Sequence, residues 1–148
     1  MNMRKILYAT DFSDCCHAAL AMASSLARDS GATLVIAHVH EPAFAYTEGL
    51  GAAYSTLPDQ ERRDAQQLLD AVQPTLPDVA CERCLLEGTP AHAIVEFAEQ
   101  AEDIDMIVLG THGRTGISRA LMGSIAEEVV RNAPCPVLTL KEPVKQSK

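Results

Sequence analysis

The sequence predicts an α/β fold, a three-layer sandwich with a parallel sheet between two layers of helices. Three observations predict it. Short β-branched, apolar runs alternate with longer stretches whose apolar residues recur at i, i+3, i+4 and i+7. The strand–helix–strand unit repeats four times, and parallel strands joined by right-handed crossovers must carry helices over the sheet. Ile107-Val108-Leu109 is apolar throughout, as a strand covered on both faces requires.

Strands are expected at 5–9, 33–40, 79–86, 106–110 and 136–140. The first helix sets Cys16, Ala19, Leu20 and Ala23 on one face, and the second sets Ala65, Leu68, Leu69 and Val72. The third is shorter, with Ala91, Ile94, Val95 and Ala98, and the fourth carries Ala126, Val129, Val130 and Ala133. Ser13 is placed to cap the first helix, and Thr89-Pro90 sets a capping hydroxyl before a proline at the first helical position. Ser124-Ile-Ala-Glu127 reads as a capping box for the fourth. Gly31 and Asn132 stand where helices stop. The connection at 41–57 is long and has no clear period, and loops of that length in compact domains are usually functional or mobile.

The 148 residues suit one domain, expected over 1–141 with a polar tail at 142–148. Twelve basic against twenty acidic side chains give a net charge of −8. That balance argues against nucleic acid and anionic membrane as partners, since both reward cationic surface. Apolar runs fall far short of the ~20 residues that span a bilayer, and the start of the chain lacks a signal-peptide core of about 7–15 apolar residues. A soluble, cytoplasmic protein is expected. Its five cysteines, an odd number, do not suggest a disulfide framework.

Chemistry concentrates in Gly110-Thr-His-Gly113-Arg-Thr-Gly116-Ile-Ser-Arg-Ala-Leu-Met-Gly123-Ser124. The segment begins where the fourth strand ends and closes on the start of the last helix. Glycines let a backbone approach a ligand and turn its N–H groups inward. A helix N-terminus adds unpaired donors and partial positive charge. Together they make an anion cradle, best suited to phosphates. From Met106 to Ala126 the chain has no acidic residue, while Arg114 and Arg119 are both present. The segment is not a P-loop, because no Gly-Lys-Ser/Thr triplet follows, and it is not the dinucleotide fingerprint, which would follow the first strand. The first strand leads instead into Thr10-Asp11-Phe12-Ser13. In open α/β sheets ligands sit at the carboxyl ends of strands where strand order reverses. An aspartate facing such a crevice suits ribose hydroxyls or a phosphate-bound metal ion.

On these residues the chain resembles the universal stress proteins of the nucleotide-binding kind. Gly110, Gly113, Gly123 and Ser124 match that family's spacing of Gly, two residues, Gly, nine residues, Gly, then Ser or Thr. The opening Lys5-Ile-Leu-Tyr-Ala-Thr-Asp-Phe-Ser13, the Ala37-His-Val39 strand end and Cys135-Pro-Val-Leu138 are also similar. The resemblance covers nearly the whole chain. It implies a five-stranded sheet in the order 3-2-1-4-5, ATP binding and homodimerisation, for which the last strand, Pro136–Leu140, an apolar sheet edge flanked by prolines, is the expected surface. By position it implies that Asp11 contacts ribose or a nucleotide-bound Mg or Mn, beside Thr10 and an adenine-side wall at Ala9. It implies that the backbone at Val39 meets the adenine edge and that Leu109 and Gly110 lie under ribose and phosphates. Gly113 would receive phosphate beside His112 and Arg114, and Gly123, Ser124 and Ile125 would hold the distal phosphates. Ala9 stands where ATP-binding members often carry proline, and the cysteines are outside the family pattern.

Other readings compete for some of these residues. Ser124 also reads as a helix cap, and Asp11 as a favourable charge at a helix start. His112 either hydrogen-bonds or protonates near the phosphates, or braces the loop. His38 and His40 share a strand face, where a buried, hydrogen-bonded His38 is favoured over a metal pair. Cys81 and Cys84, three apart in a strand, point to opposite faces and are poorly placed for zinc or disulfide chemistry. The leading function is an ATP-binding regulatory or stress-response factor. The alternatives are a slow ATP hydrolase and a thiol-based redox sensor using Cys15 or Cys16.

Overall fold

Five parallel strands form one sheet in the order β3-β2-β1-β4-β5. In this computed structural model residues 2–13, 16–42, 57–111 and 122–141 are described. The strands are β1 (Lys5–Ala9), β2 (Thr33–His40), β3 (Cys81–Glu87), β4 (Ile104–Gly110) and β5 (Val137–Leu140). The helices are α1 (His17–Ser30), α2 (Leu57–Ala71), α3 (Pro90–Ala101) and α4 (Ser124–Asn132). The expected fold and strand order are therefore those observed. The polar tail at 142–148 and most of the 41–57 connection lie outside the described residues.

Strand alternation sends side chains to two cores. Leu7, Val35, Val39, Ile107 and Leu109 pack with Ile94, Val95, Ala98, Ala126 and Val129 of α3 and α4. Ile6, Tyr8, Leu34, Ile36 and Val108 pack with Ala19, Ala23 and Ala27 of α1 and Leu69 of α2. Ile107 and Val108 are fully buried, Leu109 nearly so, which is why this run carries no alternation. Burying Leu69 completely contributes about 1.5–3 kcal/mol relative to leaving it in water. No helix among the described residues is long and apolar enough to cross a membrane.

The structure corrects several boundaries. β4 starts two residues before the expected position, because the carboxylate of Asp105 is neutralised by the Arg4 guanidinium at 2.9 Å and can sit in a strand. β3 starts at Cys81, although Ala80 already accepts a hydrogen bond from the Leu34 N–H at 2.8 Å. Ser13 does not cap α1. The helix begins only after Cys16, three residues further on, and Cys16 takes the cap position. Ser124 does not form a capping box, because it is the first helical residue and Gly123 is the cap. Thr89 is the cap of α3 as expected, with Pro90 after it, but its hydroxyl makes no capping bond. Gly31 closes α1 in the left-handed region, at φ 72°. Leu68 and Val130 follow the helical period yet are about half exposed.

Candidate functional site

β1 ends at Ala9, and the chain must turn sharply to enter α1. The Thr10 N–H still donates to the Ala37 carbonyl at 2.9 Å, extending the sheet by one residue. The Phe12 N–H then donates to Thr10 Oγ1 at 3.0 Å, and the Ser13 N–H to Asp11 Oδ1 at 2.9 Å. These side-chain turns hold Phe12 at φ 65°, a region that bulky residues seldom occupy outside sites that need it. His38, at the end of β2, braces the turn. Its ring lies 4.2 Å from that of Phe12, and its Nδ1 donates to the Thr10 carbonyl at 2.8 Å. A carbonyl only accepts, so Nδ1 carries the proton.

Cys16 completes the turn. Its N–H donates to the Ser13 carbonyl at 3.2 Å, and its thiol donates to Asp11 Oδ1 at 3.2 Å. The buried Tyr8 hydroxyl donates to the Cys16 carbonyl at 3.1 Å. Burial pushes the Cys16 thiol up, so the protonated form persists and a reactive thiolate is disfavoured. Cys15 lies outside the described residues. Cys81 and Cys84 pack into opposite cores, so their thiols do not converge.

On the other side of the switch between β1 and β4, the chain leaves the sheet at Gly110. The Thr111 N–H donates to the Leu140 carbonyl at 2.9 Å, and the Gly123 N–H returns to the Thr111 carbonyl at 2.6 Å. The two ends of the glycine segment are thereby fixed together. His112, Gly113 and Arg114, three expected site residues, lie outside the described residues. Gly123 caps α4 through its carbonyl, which accepts the first helical bond from the Glu127 N–H at 3.0 Å. The N–H groups of Ser124, Ile125 and Ala126 precede that bond, and such groups have no partner within a helix.

These pieces enclose a cleft of about 690 Å³ at the carboxyl ends of β1, β2 and β4, within the usual range for small-molecule sites. Ala9, Thr10, Asp11, Val39, Leu109, Gly110, Gly123, Ser124 and Ile125 all line it, so the structure brings together every expected site residue that it describes. Sequence reasoning missed the wall supplied by α2, where Glu61, Asp64, Ala65 and Leu68 face the cleft, and that supplied by Pro90 and Ile94 of α3. Helical period located those faces, but no motif marked them. His40 Nε2 lies 3.7 Å from Glu61, while its buried Nδ1 has no hydrogen-bond partner among the described residues.

The cleft is electrostatically uneven. Asp11, Glu41, Glu61 and Asp64 line it, and no lysine or arginine does so among the described residues. Among the described residues, positive potential at the cleft comes from the amides at the start of α4. Among the described residues no three His, Cys, Asp or Glu side chains converge to hold a metal ion.

The model of the universal stress protein family matches residues 2–141. A universal stress protein of Methanocaldococcus jannaschii is 34% identical over 145 residues, covering 97% of this chain and 85% of the relative. The solved structure of UspA from Lactobacillus plantarum superposes with a TM-score of 0.82 at 30% identity, covering 95% of this chain and 99% of that one. A universal stress protein solved in complex with cAMP superposes with a TM-score of 0.64 at 26% identity, covering 97% of this chain and all of that one.

Proposed function

The chain belongs to the universal stress protein family, and on that premise we propose that it is a cytoplasmic, ATP-binding regulatory factor of the stress response. One observation carries the reading. The start of α4, capped by the backbone of Gly123, opens into a cleft that also holds the end of β1, the end of β2 and the Asp11 turn. Phosphates suit the amides of Ser124 and Ile125. The ribose suits Asp11, and the adenine suits the apolar strand ends at Ala9 and Val39. The cAMP-bound relative supports an adenine nucleotide as the ligand class. His112, Gly113 and Arg114 belong to the same proposal through their place in the glycine segment.

Mg or Mn enters the proposal as part of the nucleotide. Bound to the phosphates, it would offset their charge against Asp11 and the acids of α2. Regulation is favoured over a dedicated ATPase by the chemistry of the cleft. Among the described residues the acids of its wall come from the β1–α1 turn, the residue after β2 and α2, whereas the start of α4 offers backbone amides and no carboxylate facing the cleft.

The proposal includes a homodimer formed through β5. This strand is an edge of the sheet, and all four of its residues are only half-buried in one chain. A half-buried apolar edge favours pairing with a second copy. Light scattering at micromolar concentration tests this: a dimer mass supports it, and a monomer mass removes it. For the ligand, the purified protein is denatured and the released small molecules are identified by mass spectrometry. An adenine nucleotide supports the reading. A folded protein that releases none, and takes up none after incubation with millimolar ATP, overturns it.

A further inference from the structure

We propose that Cys16 is a positioning residue for the Asp11 carboxylate, so that its thiol governs how strongly the cleft reads a ribose. The inference rests on the nucleotide reading above. Asp11 Oδ1 accepts from different directions the Ser13 N–H at 2.9 Å and the Cys16 thiol at 3.2 Å. The first belongs to the backbone of the turn and survives any substitution that preserves it. The second is a side chain reaching back from the start of α1 across the floor of the cleft, which Cys16 itself helps to line.

The thiol is held where it acts. Cys16 is 6% exposed, its carbonyl accepts the Tyr8 hydroxyl at 3.1 Å, and its N–H is bonded to the Ser13 carbonyl. Ser13 Oγ lies 3.7 Å from the sulfur, so the thiol has polar contacts on two sides. A carboxylate bonded in this way cannot rotate without breaking a contact, and its orientation toward a ligand is set before the ligand arrives. An S–H group is a weak donor, so the contact matters for orientation more than for holding the fold. Burial keeps the thiol protonated and hence a donor, whereas a thiolate at the same place would repel Asp11.

The test compares ATP with 2′-deoxy-ATP and 3′-deoxy-ATP on the intact chain, measuring affinity by calorimetry and folding by thermal melting. Cys16→Ala is expected to weaken ATP about three- to tenfold, the scale of one hydrogen bond. The penalty is expected to shrink or vanish for the deoxynucleotide that lacks the hydroxyl read by Asp11. Cys16→Ser retains a donor and is expected to recover most of the loss. Cys16→Val fills the space without a donor and makes the same comparison if the alanine variant is too unstable. Unchanged ATP affinity in the donor-less variant, or a loss shared equally by all three nucleotides, overturns the inference. A wild-type chain that binds none of them overturns the nucleotide reading and this inference together, so the two failures are told apart.

Discussion

Gly123 donates its backbone N–H to the Thr111 carbonyl at 2.6 Å, while the Thr111 N–H donates to the carbonyl of Leu140 at 2.9 Å. One residue thus ties the start of α4 both to the end of β4 and to the edge strand β5. The helix N-terminus cannot drift from the point where strand order reverses. The donors offered to a ligand are fixed by the sheet before binding, which lowers the ordering cost of binding.

Gly123→Val tests that arrangement directly. Gly123 has φ −59°, an ordinary value for any residue, so the substitution adds bulk at the cleft without straining the backbone. Replacing a glycine cap by an aliphatic residue costs on the order of 1 kcal/mol of stability. ATP affinity is expected to fall at least about tenfold, or ~1.4 kcal/mol, with the chain still folded. Calorimetry beside thermal melting separates the two effects.

Divalent ions are expected to strengthen ATP binding more than AMP binding. Asp11, Glu41, Glu61 and Asp64 face the cleft, and like charges repel more as phosphates are added. Chelating the metal should weaken ATP about tenfold, or ~1.4 kcal/mol, and leave AMP nearly unaffected. Titrations with and without chelator check this. Equal effects on both nucleotides would remove the role given to the ion.

Gly31→Ala should lower stability without touching the ligand. Gly31 lies at φ 72°, and a Cβ there meets nothing within 4 Å, so the penalty is conformational. Its neighbour's N–H still reaches back to the Ala27 carbonyl at 3.0 Å. A loss of about 1 kcal/mol is expected, lowering Tm by roughly 2–4 °C, with nucleotide affinity unchanged because Gly31 precedes β2 at the opposite end of the sheet.

Asp105 gives the fold an acid-sensitive contribution. The Arg4 side chain bonds to its carboxylate at 2.9 Å and holds it down to about 2, from an ordinary 3.8. A folded-state value below the unfolded one stabilises the fold above about pH 4 and loses that effect as pH falls toward 2. Solvent screens the pair, so the contribution is modest. The gap in denaturant midpoint between wild type and Asp105→Asn should be widest near neutral pH and close at about pH 2.

Sheet and helices were legible because a short, wholly apolar run and a 3.6-residue period leave different marks, as at Ile107-Val108-Leu109 and at Ala91, Ile94, Val95 and Ala98. Periodicity says which face of a helix is apolar, but not whether a neighbour covers it. That is why Leu68 and Val130 read as core and stand about half exposed. Capping residues were misplaced because the helix starts fall elsewhere. α1 begins after Cys16, three residues past Ser13, and Ser124 is already the first residue of α4, with Gly123 at the cap. The backbone half of the cleft was written in a motif. The α2 wall was not, because Glu61 and Asp64 reach the cleft only through the packing of α2 over β2, a long-range fact with no local signature. The Cys16–Asp11 contact was equally hidden, since five residues of turn geometry decide whether the thiol meets the carboxylate.

The most direct measurement is calorimetric titration of the purified, nucleotide-free chain with ATP in the presence of Mg. The account predicts saturable binding of one nucleotide per chain, weakened in Gly123→Val. A chain shown to be folded that gives no binding signal up to millimolar ATP would contradict it.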